Sequence, residues 1–157
     1  MPMMVFPAAV RDQVRAQHNE LRGLLSKAAT LANDTSGPAE SDLVGAARAL
    51  HLQFRAHLAF EDEALKPVLA VLDSWGPERV RNMHEEHVRQ RRRVDDLIAM
   101  CEAGNGSTEL AVALGALARD LLDDMADEES GCLGTVAMSS ECLMIEHLDP
   151  PPPSRHR

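Results

Sequence analysis

Histidine and acidic residues recur along this sequence at spacings that place them on one face of a helix. Residues four apart lie on the same side of a helix, so "HLAFE" presents His57 and Glu61 together. The full set of candidate metal ligands comes from four separate stretches: His18; His57 and Glu61; His84 and His87; Asp124 and Glu128. Because such groups resist burial unless their charge is compensated, a bound metal is the chemistry that this pattern favours.

The types of donor restrict the metal. Imidazole nitrogens and carboxylate oxygens suit iron, manganese or zinc, and the set offers more donors than tetrahedral zinc uses. Two ions that share carboxylates would use them all. The separation from His57 to Asp124 equals that from Glu61 to Glu128, which predicts two similar hairpins with their polar groups at one level. A single histidine such as His18 is more often a core residue, so the interpretation depends on the coincidence across four helices.

The rest of the sequence predicts the helices that hold these groups. The chain has no tyrosine, aromatic residues make up 3%, and good helix formers dominate. Apolar residues at spacings of three and four predict a first helix over about 8–32 and apolar stripes over 43–68, 80–101 and 110–128. The turn signals "NDTSGPAESD", "LDSWGPE" and "EAGNGSTE" separate them. Long helices with short connections predict an all-α, antiparallel up-and-down four-helix bundle.

The last part of the chain departs from this pattern. We expect residues 1–133 to form the bundle and residues 134–157 to form a C-terminal extension and tail. Within "CLGTVAMSSECLMIEHL" a short amphipathic helix could pack against the bundle, whereas "DPPPPSRHR" is expected to be disordered because of its proline content.

Composition excludes several classes of partner. The chain has 157 residues, 25 acidic against 16 basic, and a net charge of -9, which argues against nucleic acid and anionic membranes as partners. The three cysteines lack CxxC spacing, which favours free thiols in a reducing compartment. There is no secretory signal pattern and no long apolar run, so we expect a cytoplasmic location.

Three stretches, "QHNELRGLL", "HLAFEDEALKP" and "MHEEHV", occur in an order that resembles the hemerythrin-like, or HHE cation-binding, family over roughly residues 8–133. The resemblance implies two iron ions with carboxylate and oxo bridges, and dioxygen, peroxide or nitric oxide as small-molecule ligands. It also implies that His18 and His57 bind one iron and His87 the other, with Glu61 and Glu128 as bridges.

Two positions differ from the family pattern. His84 and His87 read HxxH where the oxygen carriers have HxxxH, so Met83 stands at the expected place, and Asp124 stands where the family has histidine. An added carboxylate should favour ferric iron and disfavour reversible oxygen carriage. One alternative is therefore a peroxidase or catalase with Asp124 and Glu128 as proton-transfer groups. Another is a helical interaction or regulatory module whose site is degenerate or holds a structural metal such as zinc.

Overall fold

The computed structural model describes residues 3–137 and 143–145. The elements in chain order are β1 (Met3–Val5), α1 (Pro7–Ala32), α2 (Glu40–Phe60), a π-helical turn (Glu61–Leu65), α3 (Lys66–Leu72), α4 (Gly76–Ala103), α5 (Ser107–Ser130), α6 (Cys132–Ala137) and β2 (Leu143–Ile145). Helix α2, the π-helical turn and α3 follow one another without a break and form one long helical segment. Together with α1, α4 and α5 this segment completes the predicted four-helix bundle, and the all-α fold class is confirmed.

Neighbouring helices of the bundle run antiparallel. Helix α1 packs against α2 and α5, and α4 packs against α2, α3 and α5. Between α4 and α5, Gln90 donates a hydrogen bond to Asp124, whereas Arg93, further along α4, donates to Asp120, earlier on α5. Between α1 and α2, Gln53 donates to Glu20, whereas His57, further along α2, contacts Gln17, earlier on α1. The order is therefore up-and-down, as the short connections predicted.

Glycine and proline fix the ends of α4 where the sequence placed them. Gly104 has φ 66°, the left-handed conformation that commonly closes a helix. Pro77 stands in the first turn, where its missing N–H costs no hydrogen bond. A Cβ atom on Gly76 would lie 2.3 Å from the carbonyl oxygen of Leu69, so only glycine allows the tight turn between α3 and α4.

Apolar side chains form two separate clusters along the bundle. The large core contains sixteen buried residues and includes Leu21, Leu50, Phe54, Leu58, Leu114, Leu121 and Met125. The small core contains Val14, Leu65, Val68, Leu69, Met83, Leu133 and Val136. Along α1, His18 lies between Val14 of the small core and Leu21 of the large core, and Glu61 lies in the same way between Leu58 and Leu65. The candidate ligands His18 and Glu61 therefore lie between the large core and the small core.

Segments near both ends of the chain close the small core. Strands β1 and β2 pair antiparallel, with Met4 opposite Met144, in a two-stranded ribbon that helical periodicity did not predict. Val5 and Leu143 pack against the small core, and α6 buries Leu133 and Val136 in it. Helix α6 lies where a short helix could pack against the bundle, and it includes residue 133, the expected end of the bundle. The segment "DPPPPSRHR", expected to be disordered, lies outside the described residues.

Candidate metal centre

A layer of polar side chains crosses the bundle between the two cores. We call it the polar layer, and it consists of His18 from α1, His57 from α2, Glu61 from the π-helical turn, His87 from α4 and Glu128 from α5. The exposed fraction is 0% for His18 and 1% for Glu61. One potential ligand atom from each of His18, His57, Glu61 and Glu128 lies within 4.8 Å of all the others. Four elements thus bring their donors to one place.

Glu61 occupies the middle of the polar layer. Its Oε1 lies 3.0 Å from His57 Nε2 and 3.6 Å from His18 Nε2, whereas its Oε2 lies 3.0 Å from His87 Nε2. Glu128 Oε2 approaches His18 Nε2 to 3.7 Å. The two oxygens of Glu61 therefore face different histidines.

Each of the three imidazoles is held by its other nitrogen. The Nδ1–H groups donate to Glu129 Oε1 from His18 at 2.9 Å, to Gln17 Oε1 from His57 at 2.8 Å, and to Asp62 Oδ1 from His87 at 2.7 Å. A carboxylate or an amide oxygen can only accept, so the proton of each neutral ring sits on Nδ1. The lone pair of each Nε2 is then directed into the polar layer, as in metal-binding histidines supported by an outer hydrogen bond.

Several atoms of the polar layer lack a hydrogen-bond partner. Among the described residues, the buried side-chain atoms in this state are His18 Nε2, both oxygens of Glu61 and Glu128 Oε1. The 3.0 Å approaches of Glu61 to two histidines set oxygen lone pairs against nitrogen lone pairs while those rings are neutral. Orphaned polar atoms this deep are costly. Bound cation charge among these atoms would offset this cost, so the donor set fits a metal.

The charges of the two central glutamates differ. Burial raises the pKa of Glu61, but hydrogen bonds from His18, His57 and His87 outweigh this effect and hold the pKa of Glu61 well below the ordinary value; each ring can donate such a bond only when Nε2 also carries a proton. Burial and the neighbouring Glu61 charge raise the pKa of Glu128 to about 10. Without a metal, Glu61 therefore favours the ionised form and Glu128 the protonated form. A multivalent cation would compensate the charge of both carboxylates.

His84 does not join the polar layer. Its side chain is exposed, and its Nδ1 lies 3.5 Å from Lys66 Nζ. The buried face of α4 carries Met83, His87 and Gln90, and each residue turns about 100° from the previous one, so His84 falls outside this face. Met83, 8% exposed, takes the inward place and packs in the small core.

Asp124 lies beside the polar layer, on the wall of a pocket between α4 and α5. The pocket has a volume of about 270 Å³ and is also lined by Glu86, His87, Gln90, Glu128 and Cys132. Gln90 Nε2 donates to Asp124 Oδ2 at 3.1 Å and to Glu86 Oε1 at 3.4 Å. Asp124 therefore faces the His87 side of the centre and is not among the four clustered donors.

Glu86 is a pocket residue that the sequence analysis missed. It is half-buried, and burial together with the charge of Asp124 raises its pKa. The available signal was its place in "HEEH", directly before His87, yet a neighbour in sequence points about 100° away on an isolated helix. Glu86 becomes a pocket residue because α5 supplies the other wall of the pocket, which includes Asp124.

The residues that support the imidazoles were missed for the same reason. Each is the direct sequence neighbour of one candidate ligand and supports a histidine on a different helix. Gln17 precedes His18 but supports His57; Asp62 follows Glu61 but supports His87; Glu129 follows Glu128 but supports His18. Arg22 in turn donates to Glu129 at 2.7 Å. Of two consecutive residues, one is thus a candidate ligand, and the other forms a hydrogen bond with a candidate histidine ligand on a different helix.

A four-helix bundle with inward histidines and glutamates at one level defines a class, the metal-binding helical bundles. The sequence model of the hemerythrin HHE cation-binding domain matches residues 9–136, and the chain belongs to this family. The resemblance noted from the sequence is thereby confirmed. Comparisons with curated proteins and with solved structures gave no significant match. Over the described ranges, no helix has the length and apolarity required to cross a membrane.

Proposed function

We propose that this protein is a non-haem di-iron protein of the hemerythrin-like kind, with a role in binding, sensing or detoxifying dioxygen, peroxide or nitric oxide. The observation that carries the proposal is the position of Glu61, whose two oxygens face different histidines. A carboxylate of this kind joins two ions in other carboxylate-bridged bundles. Because hydrogen bonds hold each Nδ1, the lone pair of each Nε2 is available to bind a metal ion.

The first ion position would use His18, His57, Glu61 Oε1 and Glu128. These donors cluster within 4.8 Å and include orphaned buried atoms. The second position would use His87 and Glu61 Oε2, with Glu86 and Asp124 as further carboxylates on the wall of the pocket that His87 also lines. A set of imidazoles and several carboxylates suits iron or manganese, and the negative charge favours the ferric state over the ferrous one.

The pocket between α4 and α5 would admit the small molecule. Its volume of about 270 Å³ is ample for a diatomic gas or peroxide, and His87 and Glu128 connect it to the polar layer. Bound iron would supply electron transfer to or from such a ligand. Asp124 and Glu86, linked by Gln90, can hold a proton at the pocket wall, because burial and the Asp124 charge favour the protonated form of Glu86.

The first test is the metal content and ultraviolet-visible spectrum of the purified protein and of His57→Ala. We expect about two irons per chain with a near-ultraviolet charge-transfer band, both lost in the variant. His51→Ala is the matched control, since His51 lies on the same helix but pairs with Asp95 at the surface. Absence of iron, or zinc alone with an unchanged fold in His57→Ala, would contradict the proposal and favour an interaction module.

A second test separates an enzymatic role from binding or sensing. Oxygen release from peroxide should fall in Asp124→Ala while the iron content stays the same, if Asp124 transfers protons at the pocket. Asp123→Ala removes a neighbouring exposed carboxylate and serves as the control. Equal rates in the wild type and in both variants would remove Asp124 from the reaction.

A further inference from the structure

Two consecutive residues contact the two nitrogens of His87. Glu61 Oε2 lies 3.0 Å from Nε2, and Asp62 Oδ1 lies 2.7 Å from Nδ1. In a regular α-helix consecutive side chains diverge by about 100°, so it is unusual for two of them to contact the same imidazole ring. Glu61 and Asp62 stand at the start of the π-helical turn, where the backbone is locally widened.

The backbone of this turn explains the geometry. The N–H of Lys66 donates to the carbonyl oxygen of Glu61, five residues earlier, instead of the residue four earlier. Pro67 follows and has no N–H to donate. In a regular α-helix its ring would also clash with the carbonyl group of the residue four earlier, Glu63. The proline and the wide turn together allow Asp62 to reach His87 while Glu61 remains in the polar layer.

Asp62 is itself fixed by two cations. Lys66 Nζ lies 2.6 Å from Oδ1, and the Arg91 guanidinium donates to Oδ2. Asp62 thus presents to His87 Nδ1 a carboxylate oxygen that two cations hold in place, whereas the neutral amide of Gln17 supports His57 Nδ1.

The two carboxylate oxygens of Glu61 face different numbers of histidines. Oε1 faces both His18 and His57, whereas among the described residues His87 is the histidine that faces Oε2. A ring turned away from Oε2 would remove the nitrogen donor of the second ion position and leave the first position complete. The orientation of His87 therefore determines the second position alone.

We infer that Asp62 is the positioning residue of the second ion position, acting through His87. It holds the proton on Nδ1 and directs the Nε2 lone pair toward Glu61, and so it sets whether the centre binds one ion or two. The inference rests on the proposed function, because it presumes two positions. It assigns to Asp62 a selective effect that a general role in stability would not produce.

The experiment compares Asp62→Asn with Glu63→Gln. Both variants remove one negative charge from the π-helical turn, but Glu63 is exposed. Anaerobic titration with Fe²⁺ alone gives the stoichiometry and the Kd of each ion. We expect Glu63→Gln to match the wild type, and Asp62→Asn to bind the second ion about 10–100-fold more weakly with the first Kd unchanged. The ¹⁵N spectrum of metal-free protein should also show loss of the single Nδ1–H tautomer of His87.

The outcomes separate the two claims. Fewer than two ions on the wild type would refute the proposed function, and this inference with it. Two ions on the wild type and equal affinities in both variants would refute the role of Asp62 alone. If Asp62→Asn does not fold, Arg91→Met tests the same contact, because it removes one cation that fixes Asp62. A smaller loss of second-ion affinity is then expected, and an unchanged affinity would overturn the inference.

Discussion

Removal of the proposed iron should destabilise this protein strongly, by an amount that follows from the polar layer. In the described part of the chain, four buried atoms of the layer have no hydrogen-bond partner. Each such atom costs about 1–3 kcal/mol, so the metal-free protein would carry roughly 4–12 kcal/mol of unfavourable free energy before any proton is taken up. The net stability of a domain is only about 5–15 kcal/mol. Bound iron should therefore decide much of the measured stability.

The assay is thermal unfolding followed by circular dichroism, with Fe²⁺ added under anaerobic conditions. At an iron concentration one hundred times the Kd, one ion stabilises the native state by about 2.7 kcal/mol. For a domain of this size that corresponds to a rise in Tm of roughly 5–11 °C. His51→Ala should show the same rise, whereas His57→Ala, which removes a donor of the first position, should show little.

One result would refute this reasoning directly. If saturating iron leaves the Tm of the wild type unchanged, iron does not bind selectively to the native protein, since selective binding must stabilise it. The orphaned atoms would then be satisfied by protons or water. The interaction-module interpretation would be the better account of the polar layer.

Three further substitutions test separate parts of the structure. Gly76→Ala should lower the free energy of unfolding by about 1–3 kcal/mol in chemical denaturation, because its Cβ would overlap backbone oxygens; Gly45→Ala, with no described atom within 4 Å of the added Cβ, should raise it by roughly 0.5–1 kcal/mol. His84→Ala should leave the iron content unchanged and His87→Ala should lose one ion; equal losses by elemental analysis would contradict the outward position of His84. Pro67→Ala should favour a regular helix and weaken the second ion in the Fe²⁺ titration; an unchanged Kd would show that tertiary packing alone holds the π-helical turn.

Helical periodicity carried most of the prediction of the fold. Spacings of three and four placed His18, His57, Glu61 and His87 on inward faces, and all four are buried. Turn residues located the helix ends, with Gly104 at the end of α4. These features depend on local backbone geometry, which a single sequence encodes well.

The outer hydrogen bonds and the pocket depend on contacts between helices. Asp62 reaches His87 from the π-helical turn that follows α2, and no spacing rule indicates that turn. Glu86 and Asp124 meet across the pocket because Gln90 lies between them. Periodicity gives the face of a helix on which a residue lies, but distances across the bundle follow from the packing of all four helices.

The division of the apolar interior has a consequence for how the chain opens. The large core and the small core lie on opposite sides of a charged layer, and the small core is closed by β1, α6 and β2. Without a cation in the layer, these two regions should behave as separate units in native-state hydrogen exchange, with the amides of α6 exchanging well before those at the middle of α5. Iron would couple them, so the exchange rates of the two units should converge as the ion is added. The metal would then act as the link that makes unfolding a single cooperative event.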